Sequence, residues 1–453
     1  MDGSSVSGGS NLTLTLAERA CAVTYDGLPE PVRELTRQCL LDYLAVGLAG
    51  AGDELVDILL AELSEAGGAA QAAVIGHAAR LPMLSAALVN GAIAHALDYD
   101  DVNLAMPGHP SVAILPALLA LAEERKSSGK AVIAAFVAGY ETCCRIGMAM
   151  RPGHYTRGFH ATGTVGAFGA AAACAHLLGL DVETTARALG IAGTQSAGLK
   201  SQFGTMCKPF HAGKAAQNGL LAARLAARGF SSRPDLVECV QGFAATHTPD
   251  FYPEKALAEP KHGFHIFANL FKYHAACYMT HAPIECGRQL REQGVAPADI
   301  AAITLSLHHA TDKVCNIPAP TDGLEAKFSL RQTVAMALAG VDTASLGAYS
   351  VATATDPALM RLRERINFDF REDYPEAGAE IAIELKDGGK ASAKFDAGIP
   401  NGDVADQGRR LAAKFDALAT PVVGAARARE LREMVAGLDA VTNVGVLGQL
   451  AAK

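Results

Sequence analysis

The segment at residues 165–178, VGAFGAAAACAHLL, most constrains the fold. It is built of small residues and is nearly uncharged, which fits a helix pressed against several neighbours rather than one facing water. Gly163, Gly166 and Gly169, spaced by three, read as packing glycines in that helix. The chain of 453 residues has no tryptophan and only 6% aromatics, so its core is built of Ala, Leu, Val and Gly. That favours closely packed helices. Half the residues are hydrophobic and 19% are charged, which excludes global disorder.

Other segments show the 3.6-residue period of helices. Residues 31–47 carry Val32, Leu35, Cys39, Leu40, Tyr43 and Leu44 at that spacing, with Pro31 suited to a first turn. Helices are also expected from Pro82 to about Ala96, after His109 and past Leu121, and from Gly213 to Arg228. Pro110 would lie in a first turn, and Pro116 should kink its helix. The texture changes near residue 265. Ile303–Leu307 alternates, and residues 380–395 read as two strands around Asp387-Gly388-Gly389. Helical stretches at Leu330–Leu338 and Asp356–Arg365 lie between, the pattern of a smaller α+β domain. Helix returns after 403, at Arg409–Leu418, Val423–Leu438 and Leu447–Ala452. The expected organisation is a polar Gly/Ser tail (1–11), a helical domain (12–265 and 400–453) and an α+β domain (266–399).

Several functions lose ground on composition and motif. A net charge of −8 with no basic stripe argues against a nucleic-acid binder. No apolar run approaches the ~18 residues that span a membrane, and the start lacks a secretory pattern. The ten cysteines are scattered without a CxxC pair, as in a reducing cytoplasm, which is the expected location. There is no GxxxxGK[ST], HExxH or GxSxG, and Ser196 in GTQSAG has the wrong spacing for a nucleophile elbow.

Four polar clusters stand in apolar surroundings. They are His95 to Asp101 with Gly108-His109-Pro110, Arg157 to Gly163, Cys207 to Lys214, and Lys272 to His281. His109, His160 to Thr162, and Lys208 to His211 each precede an expected helix, where free N–H groups and the helix dipole favour anions. Histidines there can exchange protons near neutral pH. Such a site suits a small polycarboxylate. Each cluster also has a plain structural reading: Asp98–Asp101 as a solvated turn or cap, a single histidine as packing, and the Arg/Lys face of 214–228 as solvated. DYDDVNLAM lacks the ligand rhythm of a calcium loop, so no metal is expected. His308-His309, in a strand-like segment where neighbours point opposite ways, reads as structural.

In this order the blocks resemble the MmgE/PrpD family, which includes 2-methylcitrate dehydratases, cis-aconitate decarboxylases and iminodisuccinate epimerase. The resemblance is carried by LPEPVRELTRQCLLDYLAVGLAG (28–50), AALVNGAIAHALDYDD (86–101), GHPS (108–111), GFHATGTVGAFGAAAA (158–173), KPFHAGKAAQNG (208–219) and EAKFSL (325–330). It runs from about residue 12 to about 430. It implies a mainly α fold, a large all-helical domain with a smaller α+β lid domain, and a homodimer. It implies no organic cofactor. By motif, the decarboxylase branch's Asp falls on Asp98, its two histidines on His109 and His160, and its lysine on Lys208. The threonine of the usual DFDDT block is Val102 here, the spacer to GHP is one residue longer, and the decarboxylases' lid tyrosine has no clear match near Cys315 to Pro318.

The shared chemistry is transfer of a proton at a carbon next to a carboxylate, where developing enediolate-like charge must be stabilised. Lys208, His109 and the helix N-termini suit that role, with His160 or Lys208 as base. Asp98 is expected to orient a histidine. Thr162, His211, Lys272 and His281 are candidate substrate-binding residues. The expected activity is that of a lyase, a dehydratase of the 2-methylcitrate type. An epimerase, a cis-aconitate-type decarboxylase and a non-catalytic binding protein are the alternatives. The expected partner is a small polycarboxylate, with neither nucleic acid nor membrane.

Overall fold

The computed structural model describes residues 11–453. The expected tail, but for Asn11, lies outside the described residues. The chain is mainly α, with 59% of it helical and only small sheets. The described residues form two compact units, 11–271 with 403–453, and 272–402.

The first unit is built around two helices. Ala161–Leu177, the expected central helix, is buried from Ala161 to Ala175. It packs on Gly129–Met150, Pro110–Arg125 and Cys207–Ala227. Small residues make this crowding possible. A Cβ on Gly166 would stand 2.6 Å from Cβ of Ala113. Cys207–Ala227 also lies against Met83–His95, where a Cβ on Gly91 would stand 2.7 Å from Cα of Gly213. The two backbones therefore touch, and no side chain separates them. Gly129–Met150 is long and apolar enough to cross a membrane by length and composition, a stretch the charge-interrupted sequence did not suggest. Within the protein 89% of its apolar window is buried, as in a core helix.

The last part of the chain returns to this unit. Val404–Val423 packs along Glu30–Gly50. It ends at Gly424, whose φ of +82° suits glycine, and Ala425–Ala436 follows. The break thus falls at Gly424 rather than between 418 and 423. Pro110–Arg125 runs unbroken through Pro116.

The second unit holds a four-stranded sheet. Its order is Ile366–Arg371, Ile300–His308, Gly378–Leu385, Lys390–Asp396. The first pair is parallel and the others antiparallel. Ile303, Leu305 and Leu307 are buried on one face, and His281–Glu292 packs against Gly378–Leu385 and Lys390–Asp396. Ile366–Arg371 was not anticipated, because it follows directly on Pro357–Arg363 with no turn residue to mark its start. His308 ends its strand and His309 opens a 3₁₀ turn. Their rings therefore lie 4.4 Å apart instead of on opposite faces.

Candidate active site

Three helix starts supply the polar groups of the first unit. His109 is the N-cap of Pro110–Arg125, and His160 is the N-cap of Ala161–Leu177. Lys208 lies inside the first turn of Cys207–Ala227 and His211 at the start of its second, not before the helix as expected, because it begins at Cys207. The fourth contribution is the loop after Met83–His95. There Asp98 adopts φ 49°, a left-handed conformation in which a non-glycine residue is uncommon.

Lys208 Nζ stands 2.8 Å from Asp98 Oδ1, and His109 Nε2 is 3.6 Å from the same oxygen. The other ring nitrogen of His109, Nδ1, lies 2.9 Å from Asp100 Oδ2. This is a close charge contact rather than a well-aligned hydrogen bond. His95 donates from Nδ1 to the Asp100 carboxylate at 2.9 and 3.0 Å. Asp100 therefore serves two imidazoles. Burial alone would raise its carboxyl, but His109 and His95 hold it well below the usual carboxylate range. Next in the chain, Asp101 accepts from Ser111 Oγ at 2.6 Å, and burial raises it to about 7.

The histidines form a connected group. The His95 ring lies 4.6 Å from that of His109 and 5.7 Å from that of His160. His160 and His211 share a hydrogen bond between their Nδ1 atoms at 3.1 Å. Burial lowers His95 to about 4, pushes His160 well below its ordinary value and lowers His211. Burial thus disfavours the charged imidazolium at each of these rings. The Phe203 ring meets His160 edge-on at 4.9 Å, and Lys208 Nζ lies 5.3 Å from it. Thr162 Oγ1 accepts from the His109 N–H at 3.1 Å, and the His160 N–H donates to Gly198 O at 3.0 Å. Thr162 thus holds the His109 backbone.

Asp98, His109, His160, Lys208, Thr162 and His211 are accordingly brought together. His95 and Asp100 join them, two residues of the same block to which the sequence assigns no role. The signal was there: a histidine at a helix end and an aspartate beyond a short loop can fold back on one another. Asp100, rather than Asp98, is the carboxylate in contact with two histidines. Lys272 and His281 belong to the second unit. Both are buried there, and the His281 ring lies 5.1 Å from His274 and 5.2 Å from Tyr278. Burial pushes His281 well below its ordinary value.

His95, Asp98, Asp100 and His109 each bring a donor atom within 4.8 Å of the others. Nitrogen and carboxylate donors in such a set can hold a divalent cation. The calcium-loop rhythm that is missing from 98–106 does not test such a set, which draws two histidines from outside the aspartate run. A cation would compete with Lys208 for Asp98 and with the His95 proton for Asp100.

Three positive helix ends, an ammonium–carboxylate pair and a buried imidazole cluster define an acid/base site suited to an anionic ligand. The chain belongs to the MmgE/PrpD family. The family's N-terminal domain matches residues 14–256 and its C-terminal domain residues 274–440. Among similar proteins is the cis-aconitate decarboxylase of Aspergillus terreus, 29% identical over 97% of this chain and 96% of its own. The cis-aconitate decarboxylases of Homo sapiens (27%, 93% of this chain and 91% of that one) and Mus musculus (28%, 80% and 77%) are similar along much of their length.

Proposed function

We propose that the protein is a lyase acting on a small di- or tricarboxylate, with proton transfer at a carbon next to a carboxylate. The observation that carries this reading is the gathering of Asp98, His109, His160 and Lys208 around three helix N-termini. The helix ends and the Lys208 ammonium attract the carboxylates and offset charge that grows on the substrate. Asp98 is paired with Lys208, so it adds little repulsion toward a polyanion.

The leading reaction is decarboxylation of the cis-aconitate type, favoured by relatives of that name matching over nearly the whole chain. Carbon–carbon cleavage releases CO₂ and leaves an electron pair on carbon. A proton from Lys208, or one relayed through His160 and His211, completes the product. Dehydration of a 2-methylcitrate-type acid is the second reading. It is kept by Val102, which carries no hydroxyl where the decarboxylase block has threonine. There His160 or Lys208 removes a proton, and hydroxide leaves as water with a second proton. Epimerisation uses the same first step and returns the proton to the opposite face.

Proton NMR in D₂O separates these reactions. The purified protein would be incubated with cis-aconitate, citrate, 2-methylcitrate and iminodisuccinate, with and without chelator. Loss of CO₂ with deuterium entering the product is expected. Growth of an alkene from a hydroxy acid would establish the dehydratase instead. Exchange or a change of diastereomer alone would establish an epimerase. No change with any acid would overturn the lyase reading.

A further inference from the structure

The loop that carries Asp98 and Asp100 is held from the far end of the chain. Lys414, on Val404–Val423, donates from Nζ to the Tyr99 carbonyl at 2.8 Å and to Asp42 Oδ1 at 2.6 Å. Its ammonium also lies 3.9 Å from the centre of the Tyr99 ring. The Lys414 side chain is 3% exposed and that of Asp42 1%. A buried ion pair costs desolvation energy and is weak evidence for stability, so it calls for another explanation. Its location supplies one. Tyr99 lies between the aspartate that meets Lys208 and the aspartate that meets His95 and His109. Asp98 has φ 49°, a conformation that persists only where surrounding contacts hold it.

We propose that Lys414 is a positioning residue for the acid/base site. It fixes the 98–101 loop through the Tyr99 carbonyl, so that Asp98 reaches Lys208 and Asp100 reaches both histidines. Its contacts to the Tyr99 carbonyl and to Asp42 act on the loop rather than on the reacting groups. The family's C-terminal domain match includes residue 414, yet Lys414 packs in the compact unit that holds the site. The inference rests on the functional reading above only for its kinetic readout.

The test uses the full chain in two variants. Asp42→Asn with Lys414→Met removes both charges and leaves neither buried alone. Lys414→Arg keeps the charge against Asp42 but replaces the point donor with a broad planar one. Folding is checked by circular dichroism and melting. Long-range ¹⁵N spectra of histidine-labelled protein then report the tautomers of His95 and His109, assigned through His95→Gln and His109→Gln. Both variants are expected to fold, with altered ring signals for His95 and His109. On whichever acid the panel turns over, kcat should fall about tenfold or more while KM changes little. Folded variants with wild-type ring signals and wild-type kcat would overturn the proposal. If the double variant does not fold, Lys414→Arg decides by the same readouts. If no acid is turned over, the lyase reading fails, and the ring signals alone still decide the role of Lys414.

Discussion

Lys208 and Asp98 meet at 2.8 Å, with the Lys208 side chain 17% exposed and that of Asp98 34% exposed. The pair is thus partly open to solvent while the histidines behind it are buried. An ion pair this open to solvent contributes little to stability. Lys208→Ala should therefore leave the melting temperature within a few degrees and lower turnover by about 10²-fold or more. Steady-state kinetics with a melt on the same sample checks both halves. A folded variant with wild-type turnover would remove Lys208 from the mechanism.

Asp100→Asn should be more damaging than its distance from solvent suggests. The amide carries no charge for His109, and its NH₂ group in place of Oδ1 would face His95 Nδ1 with a second donor. Turnover should fall about 10²-fold or more, as when the orienting carboxylate of a histidine is lost. The His95 ring should change tautomer in ¹⁵N spectra. An unchanged tautomer would mean that Asp100 does not orient His95.

Acidification should destabilise the fold. Burial lowers His95, His154 and His265 to about 4 from 6.5. Between these values the unfolded chain binds protons that the folded chain refuses, so stability is lost as pH falls through that window. Asp101 and Glu141 act oppositely. Burial raises both to about 7, so the folded state takes up their protons first and gains as pH falls toward 4. Three histidines outweigh two carboxyls, and His160 and His281 are lowered further. The melting temperature should be lower at pH 5 than at pH 7; an equal or higher value would contradict this balance.

Gly91→Ala should disturb stability and the site together. The new methyl would stand 2.7 Å from Gly213 Cα and 2.9 Å from its nitrogen, so the helices must part. Overpacking of this kind costs about 1–3 kcal/mol. The same shift moves His95 relative to Lys208, so turnover should fall even where the variant stays folded. Thermal melts and kinetics on one preparation measure both.

The helices were legible because small residues and a 3.6-residue period recur wherever one element is buried by several others. Ala161–Leu177 and Met83–His95 lie close to where their patterns put them. Motif order brought out Asp98, His109, His160 and Lys208. His95 and Asp100 escaped because each needs the other, across a turn whose shape depends on a left-handed residue. Lys414 escaped for another reason. It shares a helical stripe with Leu411 and Leu418, both buried, yet a lysine on such a stripe is normally read as reaching for water. Only tertiary structure shows that it ends on a backbone carbonyl.

The return of Val404–Val423 onto Glu30–Gly50 also has a consequence for biosynthesis. A ribosome makes the chain from its first residue, so Glu30–Gly50 emerges long before the helix that covers it. Until residue 414 leaves the exit tunnel, Asp42 has no Lys414 and the Tyr99 carbonyl lacks that donor. The nascent chain thus carries every helix start of the site while still lacking the clamp that sets its loop. The contacts of Lys414 with Asp42 and the Tyr99 carbonyl therefore form late in synthesis, even though most of the site's residues are made early.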